Sequence, residues 1–171
     1  QDGVLRAVTP PTPEIAAVIG KDFSYHDYYR GVSKNWEPYV AEVITPAVPL
    51  GYNLVPVAIP IKSDGGKVLG ILLLNIKLDT VAKWSKDIAV GATGFTYIVD
   101  QRGHLVAHPA LLPAEDIVDF SSVPAVQKMR KGLYGVEVLF NPVENEKRIT
   151  AYAPVPRYGW GVAVVEPART A

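Results

Sequence analysis

The densest run of polar aromatic chemistry in the chain is Tyr25-His26-Asp27-Tyr28-Tyr29-Arg30, with Trp36 and Tyr39 just behind it. Tyrosine carries an apolar ring and a hydroxyl in one side chain. Imidazole donates to a carboxylate, more strongly once protonated. Walls of apolar and aromatic groups with a few convergent polar atoms are what a pocket for a small polar molecule uses. Covalent chemistry fits less well. Ser24, His26 and Asp27 supply the residue types of a nucleophilic triad. Residues this close on one helical turn do not line up as nucleophile, base and orienter. There is no Gly-x-Ser-x-Gly elbow, His-Glu-x-x-His or phosphate-cradling glycine loop. The sequence therefore predicts no catalytic residues and no enzyme. His104 and His108 lie four apart on an expected strand, hence on one face. A metal site needs three or four ligands, and the sequence offers no third one nearby. No metal and no other cofactor is expected.

Composition narrows the class. Lys plus Arg and Asp plus Glu stand at 17 each, and the chain is 49% hydrophobic over 171 residues. A balanced charge speaks against a nucleic-acid partner, which usually leaves a basic footprint. With no cysteine, disulfides and thiolate metal sites are excluded. That suits an oxidising exterior without stray thiols. No signal peptide is visible. The longest apolar run, Val68 to Leu74, is far short of the ~20 residues of a spanning helix. The chain opens on Gln1 rather than Met, which points to a piece of a longer protein.

The elements that position these residues come in two echoing halves. Gly3-Val-Leu-Arg-Ala7 matches Gly103-His-Leu-Val-Ala107, and Asp22-Phe-Ser24 matches Asp119-Phe-Ser121. Ala58-Ile-Pro-Ile61 then matches Ala153-Pro-Val-Pro156, and Gly70-Ile-Leu-Leu-Leu74 matches Gly161-Val-Ala-Val-Val165. Four matches in one order indicate two copies of one α/β module, 1–88 and 89–171, with the junction near 88–91.

In the first copy a strand is expected over 4–8, then a proline-bearing loop over 9–20. A helix follows over about 25–33, capped by Asp22 or Ser24, then a strand over 37–45. A hairpin spans 54–62 and 67–76 around Ser63-Asp-Gly-Gly66. A connecting helix covers 79–88. In the second copy a hairpin turns at 100–103. A helix over 123–131 is capped by Ser121 or Ser122, and strands follow over 134–140, 147–155 and 160–165. This is an antiparallel α+β pattern. The second copy begins with strand 95–99, whose partner in the first would lie before Gln1.

These residues resemble the double Cache sensor domains. The resemblance rests on Asp22-Phe-Ser-Tyr-His-Asp-Tyr-Tyr-Arg-Gly31, Val57-Ala-Ile-Pro-Ile61, Gly94-Phe-Thr-Tyr-Ile-Val-Asp100, His108-Pro109, Ala153-Pro-Val-Pro156 and Gly159-Trp-Gly161. It covers nearly the whole chain. It implies two stacked PAS-like modules on a long N-terminal helix, outside the membrane, between two spanning helices. Here that helix and the first strand of the membrane-distal module would be absent from the fragment. The distal module would bind a small molecule, and the proximal one would signal to a cytoplasmic output domain. The expected parent is a dimeric sensor histidine kinase anchored by flanking helices. A chemoreceptor or nucleotide cyclase is the alternative, and a ligand-free spacer module is the rival function.

The repeat supplies an internal control for the site. After Asp119-Phe-Ser121 the second copy reads Ser-Val-Pro-Ala-Val-Gln127, mostly apolar, where the first reads Tyr-His-Asp-Tyr-Tyr-Arg30. A scaffold needs only the apolar version. Amino-acid-binding relatives carry Arg-x-Trp-Tyr and a later Asp. The resemblance places these on His26, Tyr28, Tyr29 and Asn75, so both charged clamps are replaced. A small carboxylate or another small polar metabolite is therefore the expected ligand. The expected ligand-binding residues are His26, Tyr28, Tyr29, Trp36, Tyr39 and Asn75. Core packing competes as a role for one of the adjacent tyrosines and for Tyr39. Asp27 and Arg30 are expected as a local ion pair facing solvent, and Trp160 as turn and core packing.

Overall fold

The computed structural model describes residues 2–48, 50–86, 88, 90–111 and 116–168. The elements in chain order are α1 (Pro13–Ala16), α2 (Asp27–Ser33), β1 (Tyr39–Val40), β2 (Leu54–Lys62), β3 (Val68–Lys77), α3 (Leu78–Lys86), β4 (Phe95–Val99), β5 (Leu105–Ala107), α4 (Pro124–Arg130), β6 (Gly135–Asn141), β7 (Glu146–Val155) and β8 (Trp160–Pro167). They build two antiparallel sheets, one ordered β1-β2-β3 and one ordered β5-β4-β8-β7-β6. In the second sheet β8 lies between β4 and β7. Its counterpart in the repeat, β3, forms an edge of the first sheet.

The repeat is a repeat of geometry as well as of letters. Val4 bridges Asp22 as His104 bridges Asp119. The Phe23 amide donates to the Gly3 carbonyl at 2.8 Å, and the Phe120 amide to the Gly103 carbonyl at 2.8 Å. Asp22 accepts from the Ser24 amide at 2.8 Å, and Asp119 from the Ser121 amide at 2.7 Å. Gly3 and Gly103 sit at φ +73° and +94°, and a Cβ on either would lie within 3.0 Å of Ser24 or Ser121. A left-handed backbone in so tight a contact admits only glycine.

These turns also correct the expected caps. Asp22 and Ser24 bond to each other, so His26 occupies the N-cap of α2 without a side-chain bond. Val123, not Ser121 or Ser122, begins α4. The expected strand over 4–8 is reduced to the single bridge at Val4. The loop over 9–20 contains α1, one turn capped by Thr12 with Pro13 at its first position.

The strand expected over 37–45 is cut to two residues for a specific reason. The Glu42 amide donates to Asp27 Oδ2 at 3.3 Å and the Val43 amide to Asp100 Oδ2 at 2.8 Å. Side-chain acceptors that capture backbone donors interrupt a ladder. Pairing resumes at the Ile44–Leu54 bridge.

Three apolar clusters hold the halves. Tyr28 and Val32 of α2 pack with Ala41 and Ala58 on the first sheet. Val126 and Met129 of α4 pack with Phe120, Tyr97, Tyr152 and Ala163 on the second. Between them, Leu78, Val81 and Ala82 of α3 meet Val43, Val55, Val106 and Ala107, with Trp160 against the edge. The three–four spacing puts the α3 residues on one helical stripe. Each fully buried side chain of this size contributes roughly 1.5–3 kcal/mol. The opposite face of each sheet is open: Ile59, Ile61, Leu72 and Leu74 on the first, and Val136, Val138, Phe140 and Ile149 on the second. Among the described residues no helix is long and apolar enough to cross a membrane.

Candidate functional site

Helix α2 lies over one face of the first sheet. Strand alternation puts Tyr39, Ala41, Ala58, Ile71, Leu73 and Asn75 on that face. Tyr28 is 8% exposed and fills the gap between helix and sheet. Tyr29 is half-buried at the edge of the same cluster. Asn75 continues the face beyond Leu73 and is exposed. Trp36 sits past the helix end at φ +54°, half-buried, its amide donating to the Val32 carbonyl at 2.9 Å.

His26 stands inside an aromatic stack. Its ring centroid is 4.4 Å from Tyr25, 5.0 Å from Tyr28 and 5.5 Å from Phe23, nearly parallel to Tyr28 at 10°. Burial lowers its pKa, which favours the neutral ring. Its Nε2 is buried and has no hydrogen-bond partner among the described residues. Buried polar atoms in folded proteins are nearly always paired, so this one stands out as lacking a partner from the described residues. Burial, followed by the neighbouring Tyr25, also raises the Tyr28 hydroxyl to about 12, which keeps it a neutral donor.

Tyr39 joins this layer by crossing the helix. Gly31 and Asp27 are one turn apart on α2. The Tyr39 ring passes over Gly31, where a Cβ would lie 2.3 Å from the ring carbons. Its hydroxyl then reaches Asp27, at 3.1 Å from Oδ1 and 3.0 Å from Oδ2. Burial, reinforced by the Asp27 charge, lifts this hydroxyl to about 12.

Asp27 corrects the sequence expectation. Its carboxylate faces inward and accepts from Tyr39, from the Glu42 amide and from Gln101 Nε2 at 3.3 Å. Arg30 stays exposed. Asp27 is half-buried, whereas Asp100 is fully buried, and only its Asp-x-x-Gly turn is visible in the sequence. Oδ1 of Asp100 takes the amides of Arg102, Gly103 and His104 at 2.8–2.9 Å, and Oδ2 takes that of Val43. An Arg102–Glu42 ion pair runs alongside. Asp27–Gln101 thus ties the first turn of α2 to the β4–β5 turn, and Tyr39–Gln101, Val43–Asp100 and Glu42–Arg102 tie β1 and the residues after it to the same turn.

His104 and His108 do not act together. His104 Nδ1 lies 3.3 Å from Asp100 Oδ2. His108 is 1% exposed. Its Nδ1 accepts from the Ala110 and Leu111 amides at 3.1 and 3.0 Å, so the proton of the neutral ring sits on Nε2, 3.3 Å from Glu144 Oε1. Burial, helped by the Arg148 charge, lowers its pKa to about 4. Trp160 packs against the middle apolar cluster, as expected from its turn.

The chain is similar to several receptor domains. It shares 24% identity over 160 residues with a protein assigned as a methyl-accepting chemotaxis protein in Bacillus thuringiensis subsp. konkukian (strain 97-27), covering 92% of this chain and 22% of that one. The extracellular domain of rpHK1S-Z16, a protein assigned to the histidine kinases, superposes with a TM-score of 0.69 at 21% identity, over 98% of this chain and 67% of that one. The ligand-binding domain of the Pseudomonas aeruginosa PAO1 amino-acid chemoreceptor PctB, in complex with L-Gln, superposes at 0.60 and 18% identity, over 86% of this chain and 58% of that one. The chain spans about a fifth of the curated relative and little more than half of the PctB domain. The Cache domain family matches residues 1–171, and the chain belongs to that family.

Proposed function

We propose that the chain is the extracytoplasmic ligand-sensing input domain of a transmembrane receptor, and that it binds a small carboxylate on the α2 face of its first module. The asymmetry between the two helices carries this reading. At their N-caps stand His26 and Val123, and the three positions that follow are Asp27-Tyr28-Tyr29 in α2 and Pro124-Ala125-Val126 in α4. The unpartnered Nε2 of His26 meets the ligand carboxylate. Tyr28, Tyr29 and Tyr39 wall the site, Asn75 closes it along β3, and Trp36 covers it. With neither an arginine nor an aspartate at the clamp positions, an amino acid is not the preferred ligand.

The parent is a sensor histidine kinase or a chemoreceptor, the two classes to which this chain is similar. Residues 1–88 form the membrane-distal module and 89–171 the proximal one. The parent's N-terminal helix runs over the open faces at Ile59, Leu72, Val136 and Phe140, and the receptor dimerises outside the membrane.

Thermal-midpoint screening against small carboxylates and their neutral amides tests the reading. Binding stabilises by RT ln(1 + [L]/Kd), about 2.7 kcal/mol at a hundredfold excess over Kd. A carboxylate raises the midpoint, its amide does not, and Tyr29→Ala removes the rise. A midpoint that no compound moves leaves the spacer role standing instead.

A further inference from the structure

We infer that a second small-molecule site lies at the junction of the two halves, in the cleft between β1 and the β7–β8 turn, and that it takes a small hydroxycarboxylate. This cleft has a volume of about 290 Å³ and is lined by Tyr39, Val40, Gln101, Arg157, Tyr158 and Gly159. That lies near the lower bound of ligand pockets, roughly 300 Å³. It is distinct from the α2 face: of the residues assigned there, Tyr39 alone also lines the cleft.

Its chemistry comes from three side chains. Arg157 makes no ion pair among the described residues, and its guanidinium sits 5.7 Å from the Tyr158 ring centroid. A stacked, unpaired guanidinium takes a carboxylate in a two-pronged bond. Gln101 spends its amide N–H groups on Asp27 and Tyr39, at 3.3 and 3.5 Å. That fixes its Oε1 as the free end, buried and without a hydrogen-bond partner among the described residues. An unpaired buried acceptor calls for a donor. A hydroxycarboxylate supplies both, its carboxylate for Arg157 and its hydroxyl for Gln101. Gly159, at φ +69°, keeps the floor open: a Cβ there would press on Gln101 Cβ at 3.2 Å.

Occupancy reaches the first module directly. Tyr39 walls the cleft, and among the described residues its hydroxyl and the Gln101 amide are the two side-chain groups that hold Asp27. A ligand bonded to Gln101 Oε1 locks that amide, and with it the first turn of α2.

Glycolate is the probe, followed by two-dimensional NMR of the Gln101 side-chain amide and the Arg157 Nε–H. The expected result is a saturable shift of both signals. Glycolamide, which lacks the charge, gives none. Arg157→Ala, on the exposed turn, abolishes the Gln101 shift, whereas Tyr29→Ala leaves it intact. Absence of a saturable shift overturns the inference, as does a shift that survives Arg157→Ala. So does loss of the shift in Tyr29→Ala, which would place the binding on the α2 face. Failure here leaves the α2 site untouched, because that site is read by carboxylate stabilisation lost in Tyr29→Ala.

Discussion

Asp27 and Gln101, 74 positions apart, meet at 3.3 Å and join the first turn of α2 to the turn that follows β4. Any displacement of α2 by a ligand pulls on this contact. Asp27→Ala strands the Tyr39 hydroxyl, the Glu42 amide and the Gln101 amide together, at a cost of about 1.5–3 kcal/mol. A double-mutant cycle with Gln101→Ala isolates the pair, and urea unfolding reads it. Non-additivity of at least ~0.5 kcal/mol is expected. Strict additivity would mean that the two side chains do not hold each other.

Gly31 presents a sharper case, because propensity and packing pull in opposite directions. Alanine in a helix interior is favoured over glycine by about 1 kcal/mol. At position 31 its Cβ would collide with the Tyr39 ring. Gly31→Ala is therefore expected to destabilise by about 1–3 kcal/mol, the range for overpacking. In a Tyr39→Ala background the same change should stabilise by up to ~1 kcal/mol. Denaturant midpoints of the four proteins give the sign, and a gain in both backgrounds would refute the ring-over-glycine packing.

His108 sets part of the acid sensitivity. Unfolded, its ring takes a proton near the ordinary value of 6.5; folded, it resists until about pH 4. The unfolded chain thus binds the proton first as pH falls. Stability is complete above about pH 6.5 and declines towards pH 4, by roughly 3 kcal/mol over that span. Glu144, whose pKa burial raises, works in the opposite direction. The informative quantity is therefore the difference from His108→Asn, which keeps an acceptor for the Ala110 and Leu111 amides. The variant should lose less stability between pH 6.5 and 4 than the parent chain, measured by chemical denaturation. Equal losses would show that His108 does not titrate as its burial dictates.

Much of this was legible in the chain because it is local. The Ser63–Gly66 hairpin, the α3 stripe from Leu78 and the Gly3/Gly103 turns all follow from short-range spacing and backbone rules. What escaped was long-range capture of polar groups. Nothing near Asp27 announces that Gln101 will reach it, so Arg30, three residues away, was the natural partner to expect. Nothing near Val43 shows that Asp100 will take its amide and cut the strand short. Asp22 was misread as a helix cap because its own Ser24, two positions on, claims it first. The aromatic character of α2 was plain in the sequence. That its histidine would sit in a stack with an orphaned nitrogen required coordinates.

The central claim is that α2 carries the sensing face and α4 does not. It is tested most directly by mapping amide shifts as a stabilising carboxylate is added. The account predicts shifts over His26–Val32 and along β3 near Asn75, with Val123–Met129 silent. Shifts centred on α4, or an α2 that stays silent while the protein is being stabilised, would contradict it.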